Sequence, residues 1–211
     1  MEKMNNPYES LDLNTRIALA EDINTPIETL EILATDKNHY VLEAVSGNPS
    51  TPEKILTRLI EDYNIRTFSP ALKNPSFSAE LLTRLSKSKY WYVREFVTQH
   101  PNVPVSVLEL LSNDESSEVR ENIADNSKTP SEILAQLSTD EFWMVRLSVA
   151  TNQNTSGETL TDLSEDENLD VRIFVASNPN IPDKIFERLD DFDYHDEIQK
   201  NLADKVKKNR F

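Results

Sequence analysis

The amino-acid sequence predicts an all-α solenoid of tandem repeats, each repeat a pair of short helices. Three observations carry that reading. The string Val-Arg-x-x-φ-Ala-x-Asn stands as VRENIADN from Val119, VRLSVATN from Val145 and VRIFVASN from Val171, each copy 26 residues after the last. A leucine column keeps the same spacing through Leu33, Leu59, Leu85, Leu111, Leu137, Leu163 and Leu189. Glycine is confined to Gly47 and Gly157, which helices tolerate but turns needing positive φ, P-loops and dinucleotide fingerprints do not.

Seven units follow from stepping the string backwards, with starts at 15, 41, 67, 93, 119, 145 and 171 and the array running over 15–196. Residues 1–14 are read as an N-terminal cap. Residues 197–211 are read as a capping helix, in which Ile198, Leu202, Ala203 and Asp204 echo the repeat string, followed by a basic tail.

The first helix of each unit turns its Val, the apolar residue four on and the following alanine (Ala20, Ala124, Ala150, Ala176) inward. Its end is set by Asn, as at Asn48, Asn74, Asn126, Asn152 and Asn178, often with Pro next, because a residue before Pro disfavours the α region. The second helix is expected to start with Thr as N-cap and Pro in its first turn, with Thr25-x-x-Glu28, Thr129-x-x-Glu132 and Thr155-x-x-Glu158 reading as capping boxes. Neither helix is long enough to be stable alone, so stacking must supply the core.

The third unit departs from the pattern. Phe68 stands in the Arg column and Pro70 lies where the first helix should run, so that helix is expected to start late, capped by Ser69 with Pro70 first, and to bend the array locally. A charge ladder accompanies the repeats: Asp114 with Arg120, Asp140 with Arg146 and Asp166 with Arg172, each pair six residues apart. Recurrence in unit after unit marks the ladder as a structural lock rather than an active-site ion pair.

Composition narrows the function. The 37 acidic and 22 basic residues leave a net charge of −15, a field that repels nucleic-acid phosphates and anionic lipid, and that either simply keeps the chain in solution, the better-supported reading, or favours basic proteins. With no cysteine, disulfides, thiolate metal sites and cysteine nucleophiles are excluded. No stretch approaches the ~18 apolar residues of a membrane span, and the N-terminus reads as lacking a signal peptide, so a cytoplasmic monomer is expected. His39 and His100 have no evident ligand or triad partners, His100 simply replacing the repeat Asn. The acidic run Leu189–Glu197 lacks the glycine of a calcium loop and reads as a solvated linker. No catalytic, cofactor or metal site is expected.

The whole string, Val171-Arg172-Ile173-Phe174-Val175-Ala176-Ser177-Asn178-Pro179-Asn180-Ile181-Pro182, resembles the leucine-rich repeat variant, with a weaker similarity to HEAT-type repeats. That resemblance spans residues 15 to about 190. It implies a right-handed superhelix of alternating α and 3-10 helices, so that each pair here is read as either α/α or α/3-10, and binding in a general sense. The iron–sulfur cluster found in part of that family has no cysteine ligands here.

Two sets of variable positions are candidates for contact with a partner. One lies on the first helix and includes Phe96, Leu147, Ile173 and Phe174. The other is the turn leading into that helix, with Tyr40, Tyr90, Trp91, Tyr92, Phe142 and Trp143. Aromatic side chains are enriched at binding hot spots. At ~10 Å per helical layer, the two tryptophans, two units apart, would stand about 20 Å apart on one surface. Packing over the inter-repeat grooves is the competing reading of these aromatics. Three functions are compatible with this pattern. The first is a non-enzymatic interaction scaffold, and the second an acidic inhibitor or immunity-type protein neutralising a basic partner. The third is a repeat-fold enzyme such as a bilin lyase or DNA glycosylase, the latter disfavoured for want of a cationic groove.

Overall fold

The computed structural model describes residues 7–62 and 68–190. Every regular element among them is an α-helix, and the helices alternate in two series of 26-residue spacing. The chain divides into two compact units, residues 1–107 and 108–211.

In the N-terminal unit the first helices are α1 (Leu13–Glu21), α3 (His39–Gly47), α5 (Phe68–Ala71) and α7 (Trp91–Gln99). The second helices are α2 (Ile27–Leu33), α4 (Glu53–Asp62) and α6 (Ala79–Leu85). Helix α3 packs against α1 on one side and α5 on the other. Ala20, Leu30, Leu33, Val41, Val45, Ile55 and Leu59 are buried together, and Tyr8, Leu13 and Ile17 lean on them. Helix α8 (Val105–Leu111) contains the division between the units. In the C-terminal unit α9 (Ser117–Asp125), α11 (Trp143–Thr151) and α13 (Leu169–Ser177) lie side by side. They alternate in sequence with α10 (Ser131–Leu137), α12 (Gly157–Leu163) and α14 (Asp183–Asp190). Each unit is therefore an all-α helical-repeat stack of the solenoid kind.

The repeat columns explain the stacking. Val119, Ile123 and Ala124 on α9, and Val145, Val149 and Ala150 on α11, are all buried. Alanine in this column lets neighbouring first helices approach closely. Both helices of a pair are α, so the α/3-10 alternation implied by the family resemblance is not found here.

Helix boundaries differ from the sequence reading in two places. The second helices are capped one residue late, at Pro26, Pro130 and Ser156. The preceding threonines turn back instead: the hydroxyls of Thr25, Thr129 and Thr155 donate to the carbonyls of Leu19, Ile123 and Val149 at 2.6 Å. They add a side-chain donor to carbonyls in the last turn of the first helix, two of which, Ile123 and Val149, also accept the N–H of the C-cap asparagine. Threonine here ties the two helices of a pair together, and no capping box forms. In the irregular α5 Phe68 and Ser69 are already helical, so Pro70 lies within the helix rather than at its first position.

Candidate functional site

The charge ladder sets the geometry of the turns, in a register different from the one the spacing suggests. The guanidinium of Arg120 donates from Nε and Nη2 to the two carboxylate oxygens of Asp140, at 2.6 and 3.0 Å. Its Nη1 donates to the backbone carbonyl of Asp114 at 2.8 Å. Arg146 repeats the arrangement, holding the Asp166 carboxylate at 2.6 and 2.9 Å and the Asp140 carbonyl at 2.7 Å. The Nη1 of Arg172 takes the Asp166 carbonyl. The expected pairs six residues apart thus meet through the backbone oxygen of the aspartate, while the charge pairs run twenty residues forward. The reason is reach: Asp140 Oδ1 and Asp166 Oδ1 already accept the backbone N–H two residues on, from Phe142 and Asn168, so each carboxylate is folded into its own turn. Arg16 and Asp36 form the same forward pair at 2.8 Å in the N-terminal unit.

A second ladder is made by asparagine. The amide of Asn152 donates to the carbonyls of Ala124 and Asn126, and that of Asn178 to Ala150 and Asn152. Each Oδ1 accepts the N–H two residues ahead. Asn48 and Asn74 do the same in the N-terminal unit. These buried side chains lock each first-helix end to the one before it and leave the opposite ends of the helices to carry variable residues.

Those N-terminal ends hold the candidate contact residues. Where the N-cap is Asn38 or Asn168, its side chain accepts a backbone N–H of the helix it starts. At α7 and α11 the N-cap is instead Tyr90 and Phe142, and no side-chain cap forms. Tyr90 is 37% exposed, Trp91 43%, Phe142 47% and Trp143 38%. In the N-terminal unit the rings of Tyr90 and Tyr92 stack at 5.2 Å, Trp91 stands edge-on to Tyr92 at 6.1 Å, and the Tyr92 hydroxyl reaches the Glu61 carbonyl. Tyr40 is exposed at the start of α3. In the C-terminal unit Phe142 lies under the Arg120 guanidinium at 5.5 Å, and Met144 and Phe174 are exposed. Leu169 is exposed as well and was not singled out from sequence, although it occupies the same repeat position as Trp91 and Trp143.

Two sequence candidates are core residues. Phe96 is fully buried, its ring 5.0 Å from Phe77 and 5.9 Å from His100. Phe77 stands where other units place the buried threonine and His100 where they place asparagine, so the three rings fill one space. The Nδ1 of His100 still accepts the Asn102 N–H as an asparagine oxygen would. Ile173 is also buried, while Leu147 at the same repeat position is half-buried. Neither Phe96 nor Ile173 can touch a partner in this structure.

Acidic side chains flank the exposed residues of the C-terminal unit. Glu118, Glu121 and Asp125 follow one another at helical spacing along α9. Burial raises the Glu121 carboxyl above its ordinary value, with Asp125 and Glu118 adding repulsion. The Glu118 carboxyl is lowered, chiefly by the Ser116 hydroxyl. Among the described residues no group of three or more His, Asp or Glu side chains could hold a metal ion. The acidic run to Glu197 and the expected C-terminal capping helix lie outside the described residues beyond Asp190. No described helix is long and apolar enough to cross a membrane.

No family model matches the chain, and no curated protein does. Among solved structures, a leucine-rich repeat variant with a repetitive structural motif aligns with 80% of this chain and 67% of its own, at a TM-score of 0.57 and 24% identity. An engineered protein aligns with 92% of this chain at a TM-score of 0.35 and 16% identity, too distant to bear on the fold. The fold is therefore that of a leucine-rich-repeat-variant-like helical repeat, and the likeness says nothing of activity.

Proposed function

We propose that this chain is a non-enzymatic scaffold that binds another protein through the exposed N-terminal ends of its first helices. One observation carries the reading. At Tyr90 and Phe142 an aromatic residue occupies an N-cap that Asp12, Asn38, Ser116 and Asn168 fill in other first helices, and the cap bond that Asp12, Asn38 and Asn168 make is absent. Replacing a good N-cap residue costs about 1 kcal/mol, so stability alone does not favour aromatics there. Large, partly exposed rings are the residues from which protein interfaces draw most of their binding energy.

The partner we favour is basic. Between Leu108 and Asp190 the sequence has 18 acidic and 6 basic residues. Of those cations, Arg120, Arg146 and Arg172 are committed to the turns. An inhibitor or immunity-type role toward a cationic protein is one form of this function, and a monomer in the cytoplasm is its expected setting.

Affinity capture from native extract, wild type against a Trp91→Ala/Trp143→Ala double variant, is the test. A partner held by wild type and lost by the folded variant supports the reading. A partner held equally by both removes these ends as the contact surface.

A further inference from the structure

The N-terminal unit contains a concave site whose counterpart in the C-terminal unit, a groove of about 330 Å³ at Asp125, Thr151 and Asn152, lacks its apolar and aromatic lining. A groove of about 340 Å³ opens where α1, α3 and α5 lie side by side. Its lining includes the apolar side chains of Ile17, Ala44 and Pro70 and the ring of Tyr40, which is more than half exposed. Two carboxylates, Glu21 at the end of α1 and Glu43 on α3, complete the lining. Among the described residues no lysine or arginine lines the groove.

The particular lining of this groove is visible in the sequence. Gly47 takes a position where other first helices carry Glu21, Lys73, Gln99, Asp125, Thr151 or Ser177. Its missing side chain lets Pro70 close in: a Cβ built on Gly47 would stand 3.1 Å from the Pro70 Cβ. Helix α5 presents the Pro70 ring to the groove. Two departures from the repeat, Gly47 and Pro70, therefore meet at one place and shape it.

We infer that this groove receives an arginine side chain of a protein partner. The inference rests on the scaffold reading above and specifies one contact of it. The volume is at the small end of the ~300–1,000 Å³ typical of ligand sites, which suits one long side chain. The aliphatic stem lies along Ile17, Ala44 and Pro70, as long basic side chains do on apolar surface. The planar guanidinium stacks on Tyr40 and donates to Glu21 and Glu43 together. A compact lysine ammonium matches that combination of ring and paired carboxylates less well.

The test is a chemical-shift titration of the full chain with N-acetyl-arginine amide, beside the citrulline and lysine analogues. Saturable shifts at Tyr40, Glu43, Ala44 and Gly47 with the arginine compound are expected. So is at least a tenfold weaker response to either analogue and in a Glu21→Gln/Glu43→Gln variant of unchanged circular dichroism. Absent shifts, an equal response to citrulline or lysine, or an undiminished response in the variant overturns the assignment. Loss of the arginine response while affinity capture still yields a Trp-dependent partner removes this inference alone. An arginine response with no partner captured leaves the groove assigned and removes the scaffold reading.

Discussion

Arg120 grips the carboxylate of Asp140, twenty residues ahead of it, with Nε 2.6 Å from Oδ2, while the same guanidinium takes the backbone carbonyl of Asp114, six residues behind. One side chain thus closes its own helix pair and fastens it to the previous turn. Both partners are nearly buried, at 11% and 7% side-chain exposure. Replacing Asp140→Asn keeps an acceptor for the Phe142 N–H but removes the charge facing Arg120. The expected loss is roughly 1.5–3 kcal/mol, the usual worth of a hydrogen bond to a charged group. At about 2–4 °C per kcal/mol for a chain of this size, thermal denaturation resolves it. Glu141, 3.8 Å from the same arginine but 79% exposed, is the control. Its replacement by alanine changes stability by no more than about 0.5 kcal/mol.

The same pair predicts a pH dependence. Burial pushes the Asp140 carboxyl up. The Arg120 hydrogen bond, the Phe142 N–H and the charges of Arg120 and Arg146 outweigh it, and the net value is lowered. A carboxyl whose folded pKa is depressed contributes stability that is whole above its unfolded value, about 3.9, and is lost as pH falls through the folded value. The melting-temperature gap between wild type and Asp140→Asn is therefore constant from neutral pH down to about pH 4 to 5 and closes below that. A gap that widens in acid contradicts the pairing.

The asparagine ladder predicts a larger effect from a neutral residue. Asn178 donates to the carbonyls of Ala150 and Asn152 at 2.7 and 2.9 Å and accepts the Asn180 N–H at 2.9 Å. Asn178→Ala leaves these groups buried and unmatched, at about 1–3 kcal/mol for each that water cannot reach, so the variant loses at least about 2 kcal/mol. Asn154 makes a similar pair of bonds, to Ser127 and Thr129, but at the surface, where water substitutes. Asn154→Ala is expected to lose under about 1 kcal/mol. Urea denaturation separates the two, and faster hydrogen exchange at the Asn180 amide localises the damage.

The two ladders differ in how far they were legible in the sequence. The 26-residue period, the inward columns and the role of asparagine follow from residue type and spacing, because helix faces and turn chemistry are local. The ladder register was not legible. Asp114 and Arg120 are close in sequence, yet the carboxylate opposite Arg120 comes from beyond an intervening helix, a distance only the fold sets. The threonines misled similarly, since a hydroxyl before a helix can cap forward or bond backward, and burial against the preceding helix decides. Phe96 was placed on the surface because its unit substitutes two distant core positions at once, Phe77 and His100. Their coincidence was the available signal. The groove at Gly47 and Pro70 was half legible: the irregular proline was evident, its meeting with a glycine one repeat earlier was not.

Phe96 and Trp143 should separate stability from binding. Phe96→Ala empties a fully buried aromatic site and is expected to cost about 3–5 kcal/mol. Trp143→Ala removes a ring at the exposed start of α11, and is expected to cost well under half as much while reducing partner capture. Denaturation midpoints check the first expectation and the capture assay the second. A Trp143→Ala variant as unstable as Phe96→Ala would make that tryptophan a core residue.

Glu121 predicts the opposite pH behaviour to Asp140. Its carboxyl is raised, first by burial and then by the negative charges of Asp125 and Glu118 along α9. A carboxyl whose folded pKa exceeds its unfolded value, about 4.3, destabilises the folded state when ionised and ceases to do so as pH falls through the folded value. Glu121→Gln therefore raises the melting temperature at pH 7, and the advantage vanishes once the pH is below about 4. A cationic partner on this helix face would remove the same penalty by supplying the missing countercharge. Its affinity should then fall in the Glu121→Gln variant even as the free protein becomes more stable. Melting curves and binding isotherms on one pair of proteins read both signs, and a variant that is less stable at pH 7 contradicts the repulsion along α9.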